Sequence, residues 1–70
     1  MAARPFVQTG TIGRFFPTYR EFKKNVKELL KSNPNDCVTV TRTRRGEWGE
    51  WFERWELING KPKITKQTWL

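Results

Sequence analysis

The chain has 70 residues and a net charge of +7, with fourteen Lys and Arg against seven Asp and Glu, one cysteine and no histidine. This inventory excludes an intrachain disulfide, a histidine-bearing zinc site and any Ser–His or Cys–His catalytic pair. At this length residues 1–70 form one small domain, frayed over 1–4, that buries only about 60% of the surface its unfolded chain exposes. Without a staple, the core rests on five Phe, four Trp and one Tyr, each able to bury roughly 150–250 Å².

Residues 5–16, PFVQTGTIGRFF, are rich in β-branched and aromatic residues and interrupted by Gly10 and Gly13. They read as one bent strand or two short ones, with Phe6, Ile12 and Phe16 on one parity. The segment TYREFKKNVKELLKS, residues 18–32, predicts a helix. Thr18 and Glu21 form a capping box. Asn33-Pro34 stops the helix, because a residue before proline avoids the helical region. Tyr19, Phe22, Val26, Leu29 and Leu30 gather on one side.

The β-branched run from Val38 to Thr43 predicts a strand. Val38, Val40, Arg42 and Arg44 share one face, and Cys37, Thr39, Thr41, Thr43 and Arg45 the other. Residues 47–58, EWGEWFERWELI, fit two templates. Trp48, Trp51, Phe52, Trp55 and Ile58 match a helical stripe, whereas Trp51, Trp55 and Leu57 match one face of a strand. The strand is preferred, because Asn59-Gly60 then becomes a two-residue type I′ hairpin turn. The partner strand is Lys63–Trp69, with Trp55 facing Ile64, Glu56 facing Lys63 and Glu53 facing Lys66. A helix would instead carry Gly49 and set Glu47, Glu50 and Glu53 in mild repulsion. The predicted order is β-α-β-β-β: an α+β fold with one helix packed on a three- to four-stranded antiparallel sheet.

Chemistry is scarce. Cys37 opens a Thr/Val strand and is expected to be a buried, inert thiol, since a reactive one needs a base or a cationic neighbour. Glu47, Glu50, Glu53 and Glu56 match a solvated strand edge better than an acid–base pair. Gly10-Thr11-Ile12-Gly13 lacks the further Gly and Lys of a phosphate-cradling loop. No enzyme activity, cofactor or metal is expected. The lone cysteine fits a reducing compartment, and MAARPFVQTG has no apolar run of signal length. With no stretch approaching the ~18 apolar residues of a membrane span, the expectation is a soluble cytoplasmic protein without a membrane partner.

Charge placement is the informative feature. Arg20, Lys24, Lys27 and Lys31 fall at i, i+4, i+7 and i+11 on one helix face, a track of roughly 16 Å at 1.5 Å per residue. Neighbouring like charges there repel by about 0.2–0.5 kcal/mol per pair, which suggests an anionic partner; the plainer alternative is a solvated face that keeps the protein soluble. A second patch, Arg42, Arg44 and Arg45, precedes Gly46 and is followed by Trp48 and Trp51. Arg forks match phosphates and Trp offers a stacking face. Trp51 and Trp55 are expected in the core, Trp48 in an exposed turn, and Trp69-Leu70 at the end of the last strand. Lys61 extends the patch, while Lys63 and Lys66 pair with Glu56 and Glu53.

Two functions follow. The first is a nucleic-acid-binding module that contacts the phosphate backbone of DNA or RNA through Arg20, Lys24, Lys27, Lys31, Arg42, Arg44, Arg45 and Lys61, with Trp48 at the interface. The second is a protein-interaction module, a small inhibitor or adaptor of the phage or mobile-element kind, docking its basic and aromatic face on an acidic partner protein. A homodimer through a strand edge serves either. The side on which Glu47, Glu50, Glu53 and Glu56 lie distinguishes them: if they face away from Arg20–Lys31 the reading is nucleic acid, and if the two charge signs share a face it is a protein partner.

Overall fold

In the computed structural model, which describes residues 4–33, 35–44 and 46–70, tight turns set the strand boundaries. Gly10, at φ 60°, and Thr11 reverse the chain and split 5–16 into β1 (Phe6–Thr9) and β2 (Ile12–Phe15). Only a residue tolerant of positive φ makes that reversal without strain. The two strands pair antiparallel, Phe6 opposite Phe15 and Thr9 opposite Ile12. The turn resets the alternation, so Phe6, Ile12 and Phe16 do not share a face as their parity implied.

Helix α1 (Tyr19–Ser32) carries half of the predicted capping box: the Thr18 side chain caps it, while the Glu21 carboxylate turns to Lys24 at 3.5 Å. Thr18 Oγ1 accepts from the Glu21 amide at 3.2 Å, and the Asn33 amide donates to the Leu30 carbonyl at 3.3 Å. Phe22, Val26 and Leu30, one per turn, are its buried residues. Segment 47–58 is a strand: β3 (Val38–Arg42), β4 (Trp51–Ile58) and β5 (Lys61–Trp69) follow the helix. Asn59 at φ 54° and Gly60 at φ 77° form the β4–β5 turn, both in the positive-φ region that type I′ requires.

The five strands form one antiparallel sheet in the order β2-β1-β3-β4-β5. The sheet exceeds the expected three or four strands because the first segment is a hairpin. Trp55 faces Ile64 and Glu56 faces Lys63, as read from the turn. Thr65 is then an extra residue on β5, a bulge that slips the register. Beyond it Arg54, not Glu53, faces Lys66, and Glu53 faces Gln67.

The helix packs on one face of this sheet. Val7, Val38, Val40 and Trp55 from the sheet meet Phe22, Val26, Leu30 and Phe16 in the core, with Tyr19, Leu29 and Leu57 around them. Phe22 is the hub, edge-on to Phe16 at 6.0 Å and to Trp55 at 5.7 Å. No described element covers the opposite face. The outer strands are β2 and β5, and β5 carries Lys61, Pro62, Lys63 and Lys66, residues that discourage edge-to-edge pairing.

Candidate nucleic-acid interface

All four residues of the helix stripe, Arg20, Lys24, Lys27 and Lys31, are exposed. Lys24 lies 3.5 Å from Glu21, a surface pair worth at most about 1 kcal/mol. At the amino end of the helix the Tyr19 ring connects this face to the sheet. The Arg42 guanidinium lies 3.8 Å from the ring centroid and the Lys23 ammonium 5.9 Å from it, both within cation–π range.

Beside Tyr19 sits Glu53, only 2% exposed. Alternation in β4 points it to the helix side with Trp51 and Trp55. Its carboxylate accepts from the Tyr19 hydroxyl at 2.6 Å, Trp51 Nε1 at 2.9 Å and Trp55 Nε1 at 3.2 Å, and pairs with Arg42 Nη2 at 3.4 Å. A buried carboxylate is tolerated only when its oxygens are satisfied in this way. The expectation that Glu53 lies on a solvated edge is therefore corrected: it is the acceptor around which the helix and two strands converge.

The network sets a pH dependence. Burial, then the hydrogen bond to Glu53 and that carboxylate's charge, push the Tyr19 hydroxyl well above the usual phenol range, against a smaller opposing effect of Arg42. The unfolded chain releases this proton near pH 10 and the folded chain does not. Above about pH 10 the folded state binds more protons, so its stability falls as pH rises. Tyr19→Phe is expected to flatten that part of the curve, measured as the denaturant midpoint from below to above about pH 10. An unchanged slope would contradict the role given to this hydroxyl.

Past Glu53 the basic face continues. Arg44 stacks over Trp51 at 4.9 Å and Trp69 at 5.7 Å, and the two indoles meet edge-on at 5.0 Å. The two rings hold the guanidinium in place, and its N–H groups turned to solvent can reach a phosphate. Glu47 stands 4.0 Å from Arg44, and the Arg44 side chain remains 41% exposed. Contacts thus run from Lys23 through Tyr19, Arg42, Glu53 and Trp51 to Arg44 and Trp69, joining two basic segments that lie apart in the sequence.

The remaining candidates are placed differently. Arg42 is largely committed to Glu53 and Tyr19, and its buried Nε has no partner. Arg45 lies outside the described residues. Trp48, between Gly46 and Gly49 in the β3–β4 loop, is 96% exposed. Lys61 sits at the turn end of the β4–β5 hairpin, opposite Ile58, whereas Trp51 and Trp69 pair at the other end. Seven residue steps of about 3.4 Å separate those ends, so Lys61 does not extend the Arg44 patch. Lys63 faces Glu56, but that carboxylate instead takes Thr65 Oγ1 at 2.6 Å and Arg54 at 3.9 Å. Tyr19, Lys23 and Trp69 join the face without having been singled out for it; Lys23, one residue from the stripe, was the legible one.

Among the described residues no group of His, Cys, Asp and Glu is arranged to hold a metal ion. No described helix is long and apolar enough to cross a membrane. Cys37, expected to be buried, is half-buried just ahead of β3. Comparison with protein-family models, with curated proteins and with solved structures finds no match.

Proposed function

We propose that this protein is a non-enzymatic nucleic-acid-binding module whose helix face and Arg44 contact phosphates. The observation that carries the reading is the disposal of Glu53. Glu53, the carboxylate at the centre of the Tyr19–Arg44 surface, is buried and satisfied by four donors, which leaves Glu47, exposed 4.0 Å from Arg44, as the acidic residue a ligand would meet there. Glu56 points to the opposite face of the sheet. The helix side then offers Arg20, Lys23, Lys24, Lys27, Lys31 and Arg44, set against Glu21, Glu28 and Glu47. Aromatic rings hold the cations at one end, an arrangement suited to a phosphate backbone.

The exposure of Trp48 and the presence of Glu47 beside Arg44 on the basic face favour a protein partner as the second reading, since Trp and Arg dominate the energetics of such interfaces. One experiment separates the two. The protein is titrated with duplex DNA, single-stranded DNA and RNA at low salt, following Trp emission, with an acidic polypeptide as the comparison ligand. Binding to nucleic acid with a change in emission supports the reading. Binding to the polypeptide alone would replace it with the protein-partner reading.

A further inference from the structure

The sheet face turned away from the helix carries an ordered set of side chains. The pairings Phe15–Phe6, Phe6–Thr41, Thr41–Phe52 and Phe52–Thr68 place these five residues in one row across all five strands. At about 4.8 Å between strands, the three Phe rings span roughly 14 Å. The short Thr41 separates Phe6 from Phe52 in this row. Two residues along each strand, a second row reads Gly13, Gln8, Thr39, Arg54 and Lys66, and Lys63 follows on β5. One row is aromatic and its neighbour ends in cations.

Phe15 is the exposed member of the aromatic row, and Phe6 and Phe52 are half-buried. Phe15 is 64% exposed and packs edge-on to Phe6 at 5.1 Å. The Phe6 ring leans over Gly13 so closely that a Cβ there would lie 2.4 Å from its Cζ. Glycine at this position is what lets the ring rest on β2. Past the row, Phe6, Phe15, Thr41 and Leu70 line an open depression of about 420 Å³ together with the charged Arg4, Arg42 and Glu50, within the size range of small-molecule sites.

From this geometry we infer that the uncovered face binds single-stranded nucleic acid, with bases stacked on Phe15, Phe6 and Phe52 and phosphates held by Lys63 and Lys66, while Glu56 on the same face is occupied by Thr65 and Arg54. Successive bases stack on aromatic platforms whatever their sequence, and flanking cations track the backbone. A duplex hides its base faces and cannot use the row. The inference rests on the nucleic-acid reading above and goes beyond it by naming the strandedness and a surface separate from the helix.

The test compares an oligothymidine with a duplex of equal phosphate number, by fluorescence anisotropy, for the wild type, Phe15→Ala and Gly13→Ala. Phe15 is exposed, so its truncation leaves the fold intact, which circular dichroism checks; Gly13→Ala displaces the Phe6 ring instead. Each variant is expected to lose between about fivefold and a hundredfold in oligothymidine affinity while duplex affinity stays within about twofold. Wild-type oligothymidine affinity in both folded variants would overturn the inference and leave the helix-face reading standing. Absence of any nucleic-acid binding by the wild type would overturn both. Preference of the same face for anionic phospholipid vesicles over oligothymidine, lost in Phe15→Ala, would overturn it in favour of a membrane surface.

Discussion

Glu53→Ala is expected to cost about 3–5 kcal/mol of folding stability, the scale of breaking a buried ion pair from one side. The substitution strands Arg42, whose side chain is 22% exposed, and the indole N–H of the buried Trp55. Tyr19 and Trp51, both half-buried, recover part of their loss through water. A domain of this size has only about 4–10 kcal/mol in total, so the variant sits near unfolding at room temperature. Glu53→Gln keeps an acceptor oxygen and loses the charge, so its cost is expected to be smaller. Adding Arg42→Leu to Glu53→Leu removes the stranded guanidinium and is expected to recover part of the deficit. Denaturant midpoints of the four variants check this order. A Glu53→Ala protein within about 1 kcal/mol of wild type would show that the four-donor arrangement contributes little.

The second large effect concerns binding. Lys24→Glu with Lys27→Glu reverses the middle of the helix stripe without touching the buried Phe22, Val26 and Leu30. Stability is expected to stay within about 1 kcal/mol, because both side chains are exposed and the Lys24–Glu21 pair is weak. Duplex affinity is expected to fall by about a hundredfold or more, since two charge-assisted contacts of about 1.5–3 kcal/mol each are lost and replaced by repulsion. Parallel melting and binding curves separate the two consequences. Full binding by the folded variant would reduce the stripe to a solvated face.

Local signals made much of the fold legible. Thr18, Glu21 and Asn33-Pro34 bounded the helix because caps act on the nearest turn. Asn59-Gly60 specified a hairpin and, with it, the pairs Trp55–Ile64 and Glu56–Lys63. The register failed past Thr65 because a bulge on β5 leaves no composition mark. Gly10-Thr11 is a weaker turn signal than Asn-Gly, so the β1–β2 hairpin stayed ambiguous and the parity drawn across it was wrong. For the candidate site, the helix stripe was readable from period alone. The link from Tyr19 to Arg44 was not, since it depends on α1, β3, β4 and β5 meeting at one end of the sheet. Glu53 looked like its neighbours at Glu47, Glu50 and Glu56; the overlooked signal was its position between Trp51 and Trp55 on the apolar parity of β4. The aromatic row escaped notice because Phe15, Phe6 and Phe52 are aligned only by pairing across separate strands.

The most direct test of nucleic-acid binding is the salt dependence of the wild-type affinity for duplex DNA. If Arg20, Lys24, Lys27, Lys31 and Arg44 each neutralise one phosphate, log K falls against log salt with a slope of about −4.5. A slope of that size confirms that phosphates are the ligand of the basic face. A slope near zero, or no binding at low salt, would contradict the account and direct attention to an acidic protein partner.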